Sequence, residues 1–162
     1  MAAGRTRPIG YNSGMTAAPL RMRTARFAEL TGAEVYGLCR LRVDVFVVEQ
    51  QCPYPELDGR DVEPSTVHLW AEEDGQVLAT IRVLDDGDTR AIGRVATAAA
   101  HRGEGLAARL IEAGIALCEG APITLGAQAH LEGWYARFGF VRSGPGFVED
   151  GIPHVPMRRE PA

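Results

Sequence analysis

The run Ile92-Gly93-Arg94-Val95-Ala96-Thr97-Ala98-Ala99-Ala100-His101-Arg102-Gly103-Glu104-Gly105-Leu106-Ala107 contains the residue types that bind a phosphate. An apolar strand leads through a short turn into Arg102-Gly103-Glu104-Gly105, and an amphipathic helix opens directly after it. Glycines let successive backbone N–H groups converge on one point, and a helix N-terminus adds partial positive charge. Such an assembly can hold an anion without a lysine. The two glycines could equally serve a tight turn alone. In form, Gly103-x-Gly105-x-x-Ala108 also fits a dinucleotide-binding fingerprint. Against that reading, antiparallel strands are expected ahead of the motif and residues 98–101 separate the strand from the glycines. No acid closes the next strand, which ends at Gln128-Ala129-His130.

Composition narrows the chemistry further. All 17 basic residues are arginine. Schiff-base and lysine-nucleophile reactions are therefore excluded, because they need an amine whose pKa burial can lower. A formal net charge of −4 gives no electrostatic footing for nucleic acid. Cys39, Cys52 and Cys118 are widely spaced with no CxxC pair, which fits neither a disulfide framework nor a zinc site. The four histidines are scattered and make no metal set. No apolar run approaches the ~18 residues of a membrane span, and the first residues lack the apolar core of a signal peptide. The expectation is a cytoplasmic protein with no metal, membrane or nucleic-acid partner.

With 162 residues, 46% of them apolar, the chain is the size of one domain. Residues 1–22 mix Gly, Pro, Ser and Arg and read as a disordered tail, with Met15 as a second possible start; residues 23–162 read as a single domain. Thr31, with Glu34 three residues on, offers a capping box. Val35, Leu38, Leu41, Val45 and Val48 then recur near helical spacing, predicting one helix, or a helix passing into a second, over 33–49. Residues 50–66 hold Pro53, Pro55, Gly59 and Pro64 and read as a long loop, a length that usually signals function. Asp74-Gly75 joins two strands as a hairpin, and a further turn at Asp85–Asp88 leads into the strand 90–97. Leu106, Leu110, Ala113 and Leu117 mark a helix to about Glu119, followed by a strand over 123–128, a short helix over 131–138 and two more strands. This order predicts an α/β fold: a twisted, largely antiparallel mixed sheet of six or seven strands flanked by three or four helices.

Arg102, Gly105 and Ala107 fit the pattern Arg-x-x-Gly-x-Ala, which resembles the acyl-CoA signature of the GNAT acyltransferase superfamily. Trp134-Tyr135-Ala136-Arg137-Phe138-Gly139-Phe140 is similar to an aromatic element that follows the family's next strand. Leu41 to Gln50, with Cys52 and Tyr54, and Glu149-Asp150-Gly151-Ile152-Pro153-His154 resemble the ElaA branch. The likeness runs from about Phe27 to Arg159. It implies an N-acetyltransferase that moves an acetyl or other acyl group from acetyl-CoA to a primary amine on a small molecule or peptide. The reaction would be direct attack in a ternary complex, with no metal. Members commonly dimerise, which makes a homodimer one expectation.

The resemblance also implies residue roles. The strand 90–97 would splay from its neighbour, and Val95, Ala96 and Thr97 would bind the pantetheine arm. Arg102, Gly103, Glu104, Gly105, Leu106 and Ala107 would hold the pyrophosphate. Ala107 stands where Gly is commoner, and Gln128-Ala129-His130 stands where many members carry Asn. Tyr135 would protonate the departing thiolate, because a phenol keeps its proton at neutral pH. Glu49, His68, Glu149, Asp150 and His154 are the candidates for a general base, and the choice among them stays open. Glu49, Glu56, Asp58, Asp61, Glu63, Glu149 and Asp150 fall in segments expected to flank the acceptor, which favours an amine carrying a further positive charge. The alternatives are acyl transfer like that of acyl-homoserine-lactone synthases, suggested by Arg42 and Phe46, a dinucleotide-binding domain, or a CoA-binding module without turnover.

Overall fold

The computed structural model describes residues 18–162. Eight strands form one sheet in the order β1-β2-β3-β4-β5-β8-β6, with β7 also paired to β8. The strands are β1 Arg21–Arg26, β2 Val67–Glu73, β3 Gln76–Asp85, β4 Arg90–Thr97, β5 Ile123–Gln128, β6 Val141–Arg142, β7 Phe147–Glu149 and β8 Ile152–Arg159. All pairings are antiparallel except β4 with β5. The mixed, largely antiparallel sheet is the one expected. It exceeds the expected strand number because of β1 and two strands of only two and three residues. β1 starts at Arg21, so the boundary drawn after residue 22 falls inside a strand. Residues 1–17 of the expected tail lie outside the described residues.

Helices cover both faces. On one face, α2 (Leu106–Leu117) and α3 (Glu132–Ala136) bury Leu106, Leu110, Ile111 and Tyr135 against Ile81, Ile92, Leu125, Val155 and Met157. On the other, α1 (Gly32–Val43) packs Leu38 and Leu41 against Trp70, Val77 and Ala96. The expected capping box starts α1: the Thr31 hydroxyl accepts from Glu34 N–H at 3.2 Å, and Glu34 accepts from Thr31 N–H at 2.8 Å. The helix does not run on unchanged. From Asp44 to Glu49 it widens into π-helix, a form that recurs at functional sites. At the β2–β3 hairpin, Asp74 and Gly75 both adopt positive φ (50° and 74°), as the Asp-Gly turn requires.

Two irregularities of β4 create the working space. Arg94 and Val95 stand opposite Ile81 alone, a bulge in which Arg94 takes φ +53°. On the other edge, β4 meets β5 only through Arg90–Ile123 and Ala91–Thr124. Beyond Ala91 the two strands part, leaving the backbone of 92–97 unpaired toward β5. The sheet is split there, and the split connects its two faces.

Candidate active site

An open cleft of about 930 Å³ lies along that split. Val95, Ala96 and Thr97 form one wall, with Arg102, Gly103 and Ala107 above them. A smaller hollow of about 290 Å³ adjoins it, lined by Gly105, Leu106, Ala107 and Ala108. Between them stands the N-terminus of α2. Gly103 and Gly105 have φ of +84° and +77°, a region in which an L side chain is strained, and a Cβ on either would meet no protein atom within 4 Å. Gly105 caps the helix without a side-chain hydrogen bond. The first-turn N–H groups are therefore free to bind an anion, and the dipole favours one. Glu104 lines neither space and sits 3.2 Å from His101 Nδ1. Arg137, which sequence reasoning did not single out, borders the smaller hollow and lies over Trp134 and Phe138.

The Arg102 side chain does not point freely into this space. Its Nη1 and Nη2 donate to both carboxylate oxygens of Glu49 at 2.6 and 2.7 Å, and its Nε donates to the Thr97 carbonyl at 3.2 Å. The paired guanidinium pulls the Glu49 carboxyl below its usual range.

Tyr135 lines the cleft from α3 and is 6% exposed. Its ring packs edge-on to Trp134 at 4.8 Å and Phe140 at 6.2 Å. Burial pushes the phenol up to about 12. It remains protonated across the neutral range.

The long loop 50–66 is pinned by a buried charge network. Arg42, 2% exposed, donates to Glu56 Oε1 and Asp61 Oδ1 at 2.6 Å each. Arg82, from the interior strand β3, bonds both Asp58 oxygens at 2.8 Å and Asp61 at 3.1 Å. Arg94 reaches Glu56 at 3.0 Å and Asp58 at 3.2 Å, which holds the strained bulge in place. Tyr54 donates its hydroxyl to Glu56. Hydrogen bonds from Arg82 hold the Asp58 carboxyl far below its usual range. For Asp61, burial pushes upward but the bonds from Arg42 and Arg82 outweigh it, and the net direction is down.

This pairing corrects one expectation. Glu56, Asp58 and Asp61 are neutralised by three arginines, Glu63 by Arg60 and Glu49 by Arg102. Of the seven acids counted from sequence, only Glu149 and Asp150 border the cleft without a salt bridge. Acid density along the loop therefore builds a scaffold and not an anionic wall. His68 is a second correction. It lies on β2, is 3% exposed, keeps its Nε2 3.0 Å from the Asp61 carbonyl and does not line the cleft. Burial lowers its imidazole pKa. Glu49, Glu149, Asp150 and His154 do line the cleft, as do Gln50 and Gln128, whose side-chain amides meet across it at 3.3 Å.

Residues 34–161 match a domain family described as an acetyltransferase (GNAT) domain. The chain belongs to the GNAT acetyltransferase family. Protein ElaA of Escherichia coli is 39% identical over 140 residues, covering 82% of this chain and 92% of that one. A UPF0039 protein of Mycobacterium tuberculosis is 48% identical over 136 residues, 81% of this chain and 87% of its own length. Among solved structures, an acyl-CoA N-acyltransferase from Pseudomonas aeruginosa superposes with a TM-score of 0.83 at 44% identity, covering 87% of this chain and 99% of that one. GNAT membership and the parallel pair β4–β5 inside an otherwise antiparallel sheet remove the dinucleotide-binding alternative. The family is one of acyl-group transferases. No helix among the described residues is long and apolar enough to cross a membrane.

Proposed function

We propose that this GNAT protein transfers an acyl group, acetyl in the simplest case, from acyl-CoA to a primary amine. The carrying observation is the parted β4 edge, which opens onto one cleft between an uncapped helix N-terminus and a buried tyrosine. The backbone of Val95 and Thr97 faces the parted edge and offers its N–H and C=O groups to the pantetheine amides. The first turn of α2, with Gly103 and Gly105, accepts the pyrophosphate. Pantetheine competes with Arg102 for the Thr97 carbonyl, so binding loosens the hold of Arg102 on that strand.

The reaction needs little covalent chemistry from the protein. The amine nitrogen attacks the thioester carbon, the C–N bond forms, and the C–S bond breaks. Tyr135 gives its proton to the departing sulfur. A phenol at about 12 is a weak acid, yet the apolar surroundings that raise it also raise the basicity of a thiolate released beside it. The experiment is thiol release from acetyl-CoA across a panel of primary amines. Amine-dependent release supports the reading; a protein that binds acetyl-CoA but releases no thiol with any amine would be a sensor.

A further inference from the structure

The split sheet separates two chemistries, and the second side of it assigns a residue. Side chains alternate along a strand. Val155 and Met157 of β8 belong to the core that contains α2 and Tyr135, as do Leu125 and Ala127 of β5. His154 and its register partner Gln128 therefore project to the opposite face, that of α1. With Tyr135 as the acid of the acyltransfer reading, the thiolate would leave on that side, and the α1 side would be left for the acceptor amine.

Most ionisable groups bordering that side are already engaged. Glu49 is held by Arg102, and Asp58 by Arg82 and Arg94. Burial and the Glu56 carboxylate push the Tyr54 phenol up, and its proton is committed to Glu56. The Cys52 thiol donates to the Asp150 carbonyl at 3.3 Å. Glu149 and Asp150 are exposed at the β7–β8 turn. His154 is half-buried and differs from all of these. Its Nδ1 lies 2.7 Å from the Ile152 carbonyl. A carbonyl only accepts, so Nδ1 carries the proton, and in the neutral ring Nε2 is the basic nitrogen. That nitrogen has no hydrogen-bond partner among the described residues. The ring is fixed by stacking on Phe147, 5.5 Å between centroids and 17° from parallel.

We infer that His154 Nε2 is the general base, taking the proton of the attacking amine on the α1 face while Tyr135 protonates the sulfur on the other. The inference rests on the acyltransfer reading above. Atoms balance: the amine loses one proton to His154, the sulfur gains one from Tyr135, and solvent exchange resets both residues.

The test uses the full chain with acetyl-CoA and an alkyl amine that the wild type accepts. Absence of amine-dependent thiol release by the wild type would sink the acyltransfer reading and this inference together. Given that activity, His154→Ala should lose at least tenfold in kcat, as expected where general-base catalysis supplies ~10²–10⁴-fold, with acetyl-CoA affinity unchanged and only a small drop in melting temperature from the lost stacking and hydrogen bond. Added imidazole should restore part of the lost rate, because a free base can occupy the vacated volume. His154→Gln, which keeps a hydrogen-bonding side chain, should stay slow without rescue. Wild-type turnover by either variant overturns the assignment, and so does a folded Ala variant that imidazole fails to rescue.

Discussion

Replacing Arg42 by leucine tests whether the buried charge network carries the loop that lines the cleft through Tyr54, Pro55 and Asp58. Arg42 donates four hydrogen bonds: to Glu56 Oε1 (2.6 Å), Asp61 Oδ1 (2.6 Å), Asp61 Oδ2 (3.1 Å) and the Glu56 carbonyl (3.3 Å). Removing one member of a buried ion pair typically costs ~3–5 kcal/mol, because the partner stays buried without compensation. Here Glu56 keeps Arg94 and Tyr54, and Asp61 keeps Arg82, which argues for the lower end, about 3 kcal/mol. For a domain of this size that lowers Tm by roughly 6–12 °C. Urea unfolding followed by tryptophan fluorescence is a suitable assay, since Trp70 is fully buried on the same face. Arg40→Leu is the control: its pair with Asp44 is 3.8 Å long and exposed at both ends, so it should cost less than about 0.5 kcal/mol. If Arg42→Leu costs under about 1 kcal/mol, the network is decoration and the loop is held otherwise.

Tyr135→Phe keeps the ring packing and removes only the hydroxyl, so kcat should fall at least tenfold with acetyl-CoA affinity nearly unchanged; turnover at the wild-type rate, with chemistry limiting, would remove Tyr135 as the acid. Gly105→Val places a branched side chain in left-handed backbone at the turn proposed to take the pyrophosphate and should abolish acetyl-CoA binding by calorimetry, whereas Glu104→Ala, facing neither space, should bind like wild type. Asp58 and Asp61 have carboxyls lowered in the folded state, so their stabilisation is complete above the unfolded carboxylate value near ~4 and is lost as pH falls below it. Urea midpoints measured from pH 7 to pH 3 should drop in acid, and the drop should be smaller in Asp58→Asn.

Local signals were readable from sequence because they rest on neighbouring residues. The Thr31–Glu34 capping box, the Asp74-Gly75 hairpin and the strand-loop-helix around Gly103 and Gly105 each need only a few adjacent positions. β1 was missed because Arg21-Met22-Arg23-Thr24-Ala25-Arg26 is an edge strand with polar, largely solvated side chains, and it carries no apolar alternation. Arg23 instead ties it to Glu34 and Glu72 by ion pairs. The pairing of the loop acids could not be read from sequence either. Arg82 meets Asp58 and Arg94 meets Glu56 across 24 and 38 residues, and only the folded sheet decides which charges meet. His68 misled for the same reason: a histidine at a strand start gives no sign of which face it will occupy.

The network that pins the loop beside the cleft uses arginine at every cationic position. On the acyltransfer reading, a protein that holds activated thioesters would keep its own nucleophiles at high local concentration beside an electrophile. A lysine in place of Arg94 or Arg102 would be an amine at the mouth of the cleft, open to acylation and then to loss of its charge. A guanidinium stays protonated and is a poor nucleophile, so the scaffold should not be worn away by its own substrate.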